Sequence, residues 1–215
     1  MHASTVVRRL FDLPPRRILP PPIPAEVVTG AFPVAGQITL LGGPSGGGKS
    51  RLLRAIRDCR APTTHWIEPT KLRIDPTSCV IDALCDALEG DEQSHIEAAL
   101  ELLSRVGLAE AWTYLQKPHE LSEGQRWRLR LAIAVARALH VPAGEVVILA
   151  IDEFCAVLDR VTARIVARAL RRLIDRPGPA KLAAVVATSH DDLPPALMPD
   201  RTVTADFGVY RMLTR

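Results

Sequence analysis

A chain of 215 residues with 47% hydrophobic content suits one globular domain with a sizeable core, and a formal charge of +3 singles out no polyanionic partner. Its four cysteines (Cys59, Cys79, Cys85, Cys155) form no CxxC pair and have no histidine at zinc spacing, which favours thiols in a reducing compartment over a disulfide or metal framework. Apolar runs stop far short of the ~18 residues of a membrane span. Prolines follow Arg8 and Arg9 where a secretion signal needs an apolar core, so the expectation is a cytoplasmic protein without membrane insertion.

Residues 1 to about 25 carry Pro14, Pro15, Pro20, Pro21, Pro22 and Pro24. Proline removes backbone donors and disfavours helix before it, so this arm is expected to be extended or disordered, ahead of one domain over 26–215. Gln37 to Leu41 reads as a buried strand, followed by a glycine-rich turn and a helix through Arg51 to Ile56. Helical periodicity covers Val80 to Leu88 and His95 to Val106, the second stretch with Ile96, Ala99, Leu100 and Leu103 on one apolar face. A further helix begins near Ser122 and runs through Ala138. Val146 to Ile151 has the unbroken apolar character of a strand covered on both faces and ends on Asp152 and Glu153. A helix over about Val161 to Ile174 and a strand over Leu182 to Thr188 complete the pattern. Strands alternating with helices predict an α/β fold with a mainly parallel sheet flanked by helices, and the helix-only stretch over about 78–140 predicts an inserted subdomain.

The chemistry begins at Gly43-Pro44-Ser45-Gly46-Gly47-Gly48-Lys49-Ser50, which satisfies GxxxxGK[ST] between a predicted strand and a predicted helix. Glycines let successive backbone N–H groups turn inward around a β-phosphate at the positive end of the helix. Lys49 has the reach for the β- and γ-phosphates of ATP, and the Ser50 hydroxyl is a ligand for Mg²⁺. Arg51 either adds a phosphate contact or faces solvent. Asp152 suits a water-mediated hold on the same cation, and Glu153 is placed to orient or deprotonate an attacking water.

Leu121-Ser122-Glu123-Gly124-Gln125 resembles the LSGGQ signature of ABC-family ATPases, with Glu123 in place of a glycine. The stretch from Glu153 to Asp159 is similar to the family's DEPTSALD, making Asp159 the counterpart of the D-loop aspartate, and His190 falls where the family's switch histidine belongs. Over about residues 36–192 the resemblance implies a P-loop ATPase that closes as a homodimer around ATP and Mg²⁺. In that arrangement Ser122, Glu123, Gly124 and Gln125 cap the γ-phosphate bound to the opposite subunit, and Glu153 and His190 support hydrolysis. The pattern also departs from the family. No glutamine lies between Lys49 and Gln93, which leaves Glu68 as the Q-loop equivalent or as an exposed turn acid, and predicts a reduced antiparallel β-subdomain. No upstream aromatic clearly matches the family's adenine-stacking residue; Phe11, Phe32, Arg16 and Arg17 are the candidates. The run Arg126, Trp127, Arg128, Arg130, Arg137 leaves nucleic acid open as a partner, against a solvated face with Trp127 packed between subdomains.

The compact length and the Asp-Glu-Phe-Cys stretch are similar to soluble ABC ATPases, some of them joined to an acetyltransferase-like domain. The leading expectation is therefore a soluble ATPase coupled to an effector protein, another enzyme domain or a nucleic-acid process. The alternatives are the ATP-binding subunit of a membrane transporter and a non-hydrolysing regulatory module.

Overall fold

A computed structural model describes residues 3–12, 21–88, 92–176 and 181–214. Six strands form one sheet: β1 (Ile38–Gly42), β2 (Thr64–Ile67), β3 (Val146–Ile151), β4 (Lys181–Ala187), β5 (Arg201–Asp206) and β6 (Val209–Thr214). Their order is β2-β3-β4-β1-β5-β6, all neighbours parallel except β5 and β6. Side chains alternate across the sheet. Val147, Leu149 and Ile151 of β3 enter one core with Ala184 and Val186 of β4, while Ile148 and Ala150 enter the other with Ala183 and Val185. Burial on both faces explains why β3 reads as an unbroken apolar run.

The helices are α1 (Ala3–Leu10), α2 (Ala25–Gly30), α3 (Lys49–Asp58), α4 (Val80–Cys85), α5 (Glu92–Arg105), α6 (Ala111–Tyr114), α7 (Glu123–Leu139), α8 (Arg160–Asp175) and α9 (Pro194–Leu197). On one face α3 buries Leu52, Leu53 and Ile56 with Val28 of α2. On the other α8 buries Ala163, Val166, Ala167, Leu170 and Ile174 at helical spacing. From Trp127 to Ala138, α7 buries nearly all its side chains and belongs to the same core as α4, α5 and the sheet. The helical segment is thus continuous with the main core. Among the described residues the only antiparallel pairing is β5 with β6, so there is no separate antiparallel subdomain there.

Two expectations need correction, and one element escapes the sequence reading. Ala3–Leu10 is helical rather than extended, because it precedes the first proline and its Arg8 and Arg9 sit in the last turn, where cations suit the helix dipole; residues 13–20 lie outside the described set. The buried stripe of α5 is Ala99, Leu102, Leu103 and Val106, while Ile96 and Leu100 stay exposed. Both sets fit the same i, i+3, i+4, i+7 spacing, and contact with α4 and α7 selects the later one. The β5–β6 hairpin is absent from the sequence reading. Its turn places both Phe207 (φ 44°) and Gly208 (φ 98°) at positive φ, as a type I′ turn requires.

Candidate functional site

The phosphate loop joins β1 to α3 and is shaped against β5. A Cβ at Gly43, where φ is +125°, would stand 2.2 Å from the Ala205 carbonyl oxygen, and one at Gly47 would stand 2.5 Å from the same atom. Phe207 N donates to Gly47 O at 3.1 Å, tying the hairpin to the loop. Gly48 (φ 110°) is the left-handed N-cap of α3 and supplies no side chain, so the first-turn N–H groups face the site rather than a capping oxygen. Lys49 Nζ donates to the carbonyl oxygens of Gly43 at 2.8 Å and Pro44 at 2.7 Å, which holds the ammonium at the mouth of its own loop.

Around the loop lies a cavity of about 670 Å³ lined by residues 45–51, Arg54, Asp152, Glu153, Ala156, Thr188, Ser189, Phe207, Gly208 and Tyr210. Asp152 and Glu153 arrive from the end of β3, and Glu153 N donates to Asp152 Oδ1 at 3.1 Å. Glu153 has φ +52°, an uncommon conformation for a residue with a Cβ and costing about 1 kcal/mol or more. The turn after it is pinned from below: Phe154 N donates to Ala187 O at 2.8 Å, and Thr188 Oγ1 donates to Phe154 O at 3.2 Å. Trp127 packs on Phe154 with ring centroids 5.7 Å apart, which fixes α7 to the turn that carries Glu153. His190 N donates to Thr188 Oγ1 at 3.2 Å; its side chain is half-buried beside the wall formed by Thr188 and Ser189 and does not itself line the cavity.

An adjoining cavity of about 280 Å³ is lined by Ser50 and Asp152 again, together with Glu68. Glu68 is not an exposed turn acid. Trp66 Nε1 donates to it at 3.2 Å, and it pairs with Lys71 at 2.6 Å and Arg57 at 3.7 Å. The Ser50 hydroxyl and Asp152 carboxylate are hard oxygen ligands on one wall, the set Mg²⁺ uses when phosphate oxygens and water complete its shell. No group of three or more His, Cys, Asp or Glu side chains able to hold a metal occurs among the described residues.

Ser122, Glu123, Gly124 and Gln125 lie away from this cavity. Ser122 caps α7 in a closed box: Gln125 N donates to Ser122 Oγ at 3.2 Å, and Ser122 N donates to Gln125 Oε1 at 2.9 Å. A Cβ at Gly124 would stand 2.9 Å from Leu158 Cδ2, so the signature turn touches the segment before Asp159. Asp159 caps α8, accepting from Val161 N at 3.0 Å and Thr162 N at 2.9 Å; hydrogen bonding from the Thr162 side chain foremost, and then from these backbone groups, holds its carboxyl below the usual range.

The first arginines of the run turn inward rather than outward. Arg126 donates to Pro118 O at 3.4 Å, Arg128 donates to Gly124 O at 3.3 Å and to Gly107 O, and burial depresses the Arg128 pKa. Arg126, Arg128 and Arg130 are half-buried, Arg137 is exposed and Trp127 is 6% exposed. Trp127 packs inward, and Arg126 and Arg128 spend hydrogen bonds on carbonyls of their own chain. Of the upstream stacking candidates, Phe32 packs in the core, Phe11 is exposed at the end of α1, and Arg16 and Arg17 lie outside the described residues. Neither phenylalanine lines the cavity. Sequence reasoning missed Phe207, Tyr210 and Arg54 as wall residues; the Asp-Phe-Gly turn before Val209 was the available signal. Arg51 lines the cavity and donates to Pro21 O at 2.5 Å, which draws residue 21 to its edge.

The family described as ABC transporter matches residues 34–143. The aliphatic sulfonates import ATP-binding protein of Delftia acidovorans is 34% identical over 186 residues, 80% of this chain and 70% of that protein. Its namesake in Rhodococcus jostii (strain RHA1) is 33% identical over 196 residues, with 83% and 72% covered. The phosphonates import ATP-binding protein of Thiobacillus denitrificans is 31% identical over 189 residues, with 73% and 67% covered. Among solved structures, a dimeric ATP-binding cassette in a post-hydrolysis state with ADP and Pi superposes with a TM-score of 0.65 at 20% identity, covering 85% of this chain and 88% of that one.

Proposed function

This chain belongs to the ABC transporter family of ATP-binding domains, and from that premise we propose that it is the ATPase subunit of a membrane importer, closing with a second copy over bound ATP. The chain is an ATPase of the P-loop class, and its substrate is ATP with Mg²⁺. The import role is supported by the relatives that share about a third of its residues over four-fifths of its length, two of which carry import of aliphatic sulfonates in their names. It takes precedence over the soluble, effector-coupled reading because these relatives are named as import ATP-binding proteins. No described helix is long and apolar enough to cross a membrane.

In this reading the triphosphate lies on the loop of Gly43 to Gly48, and Lys49 exchanges the carbonyls of Gly43 and Pro44 for β- and γ-phosphate oxygens. Ser50 and Asp152 would hold Mg²⁺, which would supply neutralisation of the phosphate charge. Glu153 takes a proton from the attacking water as its oxygen bonds to the γ-phosphorus. The bond from that phosphorus to the bridging oxygen breaks, leaving ADP and phosphate. His190 reaches the γ-phosphate as a donor once the site closes. Ser122 to Gln125 of a second copy, whose turn packs on the segment leading to Asp159, cover the opposite side of the γ-phosphate. Glu68, beside Ser50 and Asp152 in the smaller cavity, takes the Q-loop position.

The observation that carries the chemistry is the single cavity that Lys49, Ser50, Asp152 and Glu153 line together. Glu153→Gln should lower turnover by about 10²-fold or more while ATP stays bound, and with ATP and Mg²⁺ it should sediment at twice the monomer mass. Pulled down from native cells with ATP present and solubilised in detergent, that variant should bring a membrane permease with it. Normal hydrolysis by Glu153→Gln would refute the catalytic assignment, and a dimer that never associates with the permease would refute the import role.

A further inference from the structure

Phe207, Gly208 and Tyr210 of the β5–β6 hairpin also line the nucleotide cavity, and no motif accounts for them. At the hairpin tip Phe207 is 73% exposed, an apolar ring turned to water beside a phosphate loop. Its backbone is nonetheless fixed: φ is +44°, a conformation bulky residues rarely adopt, and its N–H is bonded to Gly47 O. A Cβ at Gly46 would stand 3.8 Å from the ring, so the aromatic face begins where the loop ends. Tyr210 stiffens the hairpin from behind, packing against the core with its hydroxyl buried near Gly48. Pro21 stiffens the tip, its ring 3.3 Å from where a Gly208 Cβ would be and its carbonyl held by Arg51. Strain and exposure at one residue, held rigidly from two sides, are what a preformed stacking surface requires.

We propose that Phe207 is the nucleobase platform of this ATPase: with the triphosphate on the loop, the adenine stacks on the Phe207 ring. The proposal rests on the loop holding the triphosphate as described above. Bases stack on aromatic side chains through their π-faces, and here the platform comes from the hairpin after β5 rather than from a residue upstream of the loop. The hairpin therefore serves the site twice, shaping the loop through Ala205 and holding the base through Phe207.

The test compares ATP with inorganic tripolyphosphate, which offers the loop its phosphates but has no base. Phe207→Asn removes the ring while suiting a positive φ, and it should weaken ATP by roughly 5- to 100-fold, the range for one aromatic stack. Tripolyphosphate affinity should not change. Phe207→Trp should keep ATP affinity, and its added indole fluorescence, taken as the difference from the unsubstituted protein, should fall with ATP but not with tripolyphosphate. ATP binding unchanged in Phe207→Asn would overturn the platform. Equal loss of both ligands would overturn it as well, since the ring would then only brace the loop. If the unsubstituted chain bound neither ligand, the phosphate-loop reading would fall and the platform with it.

Discussion

The loop before α3 and the turn before α7 both present a helix N-terminus, but they are finished in opposite ways. Gly48 caps α3 with no side chain, so the donors of its first turn face a cavity. Ser122 caps α7 with a hydroxyl, and Gln125 closes the box from the other side, so two of the donors there are already satisfied within the chain. An unsatisfied helix start costs free energy until an anion arrives, whereas a boxed start is stable alone. The contrast teaches which end should bind nucleotide unaided: a single chain holds ATP at α3, and the α7 end engages phosphate only when a second copy brings one.

Three substitutions sharpen or break this comparison. Lys49→Ala should weaken ATP by on the order of 10²-fold or more, since a charge-assisted contact to the phosphates is lost; calorimetry giving wild-type affinity would remove the α3 end from the scheme. Gly47→Ala places a methyl 2.5 Å from the Ala205 carbonyl oxygen, so loop and hairpin must part. A loss of about 1–3 kcal/mol in denaturant unfolding is expected, with weaker ATP binding alongside it. Ser122→Ala should cost about 1 kcal/mol through the lost cap and leave the ATP affinity of the monomer unchanged, while weakening nucleotide-driven dimers measured by sedimentation. If Ser122→Ala instead lowered monomer affinity, the division of labour between the two helix starts would be wrong.

What the sequence made legible follows the same physics. The phosphate loop could be read because tight backbone turns and phosphate contact leave few residue types admissible at Gly43, Gly48 and Lys49. Strand β3 could be read to its ends because burial on both faces leaves no polar interruption before Asp152. Trp127 is legible as a packing residue, and its ring meets that of Phe154 at a tilt. The hairpin was not foreseen, because a phenylalanine at positive φ runs against local propensity and is sustained only by contacts with residues distant in sequence, Gly47 among them. The inward turn of Arg128 was equally invisible, since its acceptors are the backbone carbonyls of Gly107 and Gly124. A hydrophobicity pattern sees a cation there, not the oxygen waiting for it.

The place of β1 in the sheet bears on how the chain comes together as it is synthesised. This first strand is flanked by β4 and β5, both of which are translated long after it, and the carbonyl that moulds the phosphate loop belongs to Ala205. Contacts between such distant residues form late and slowly. A nascent chain that has emerged only as far as β3 therefore carries the glycine-rich segment without either neighbouring strand or the carbonyl that shapes it. Nucleotide can be retained only after β5 has docked, so the most recognisable segment of the sequence is among the last to acquire its working form.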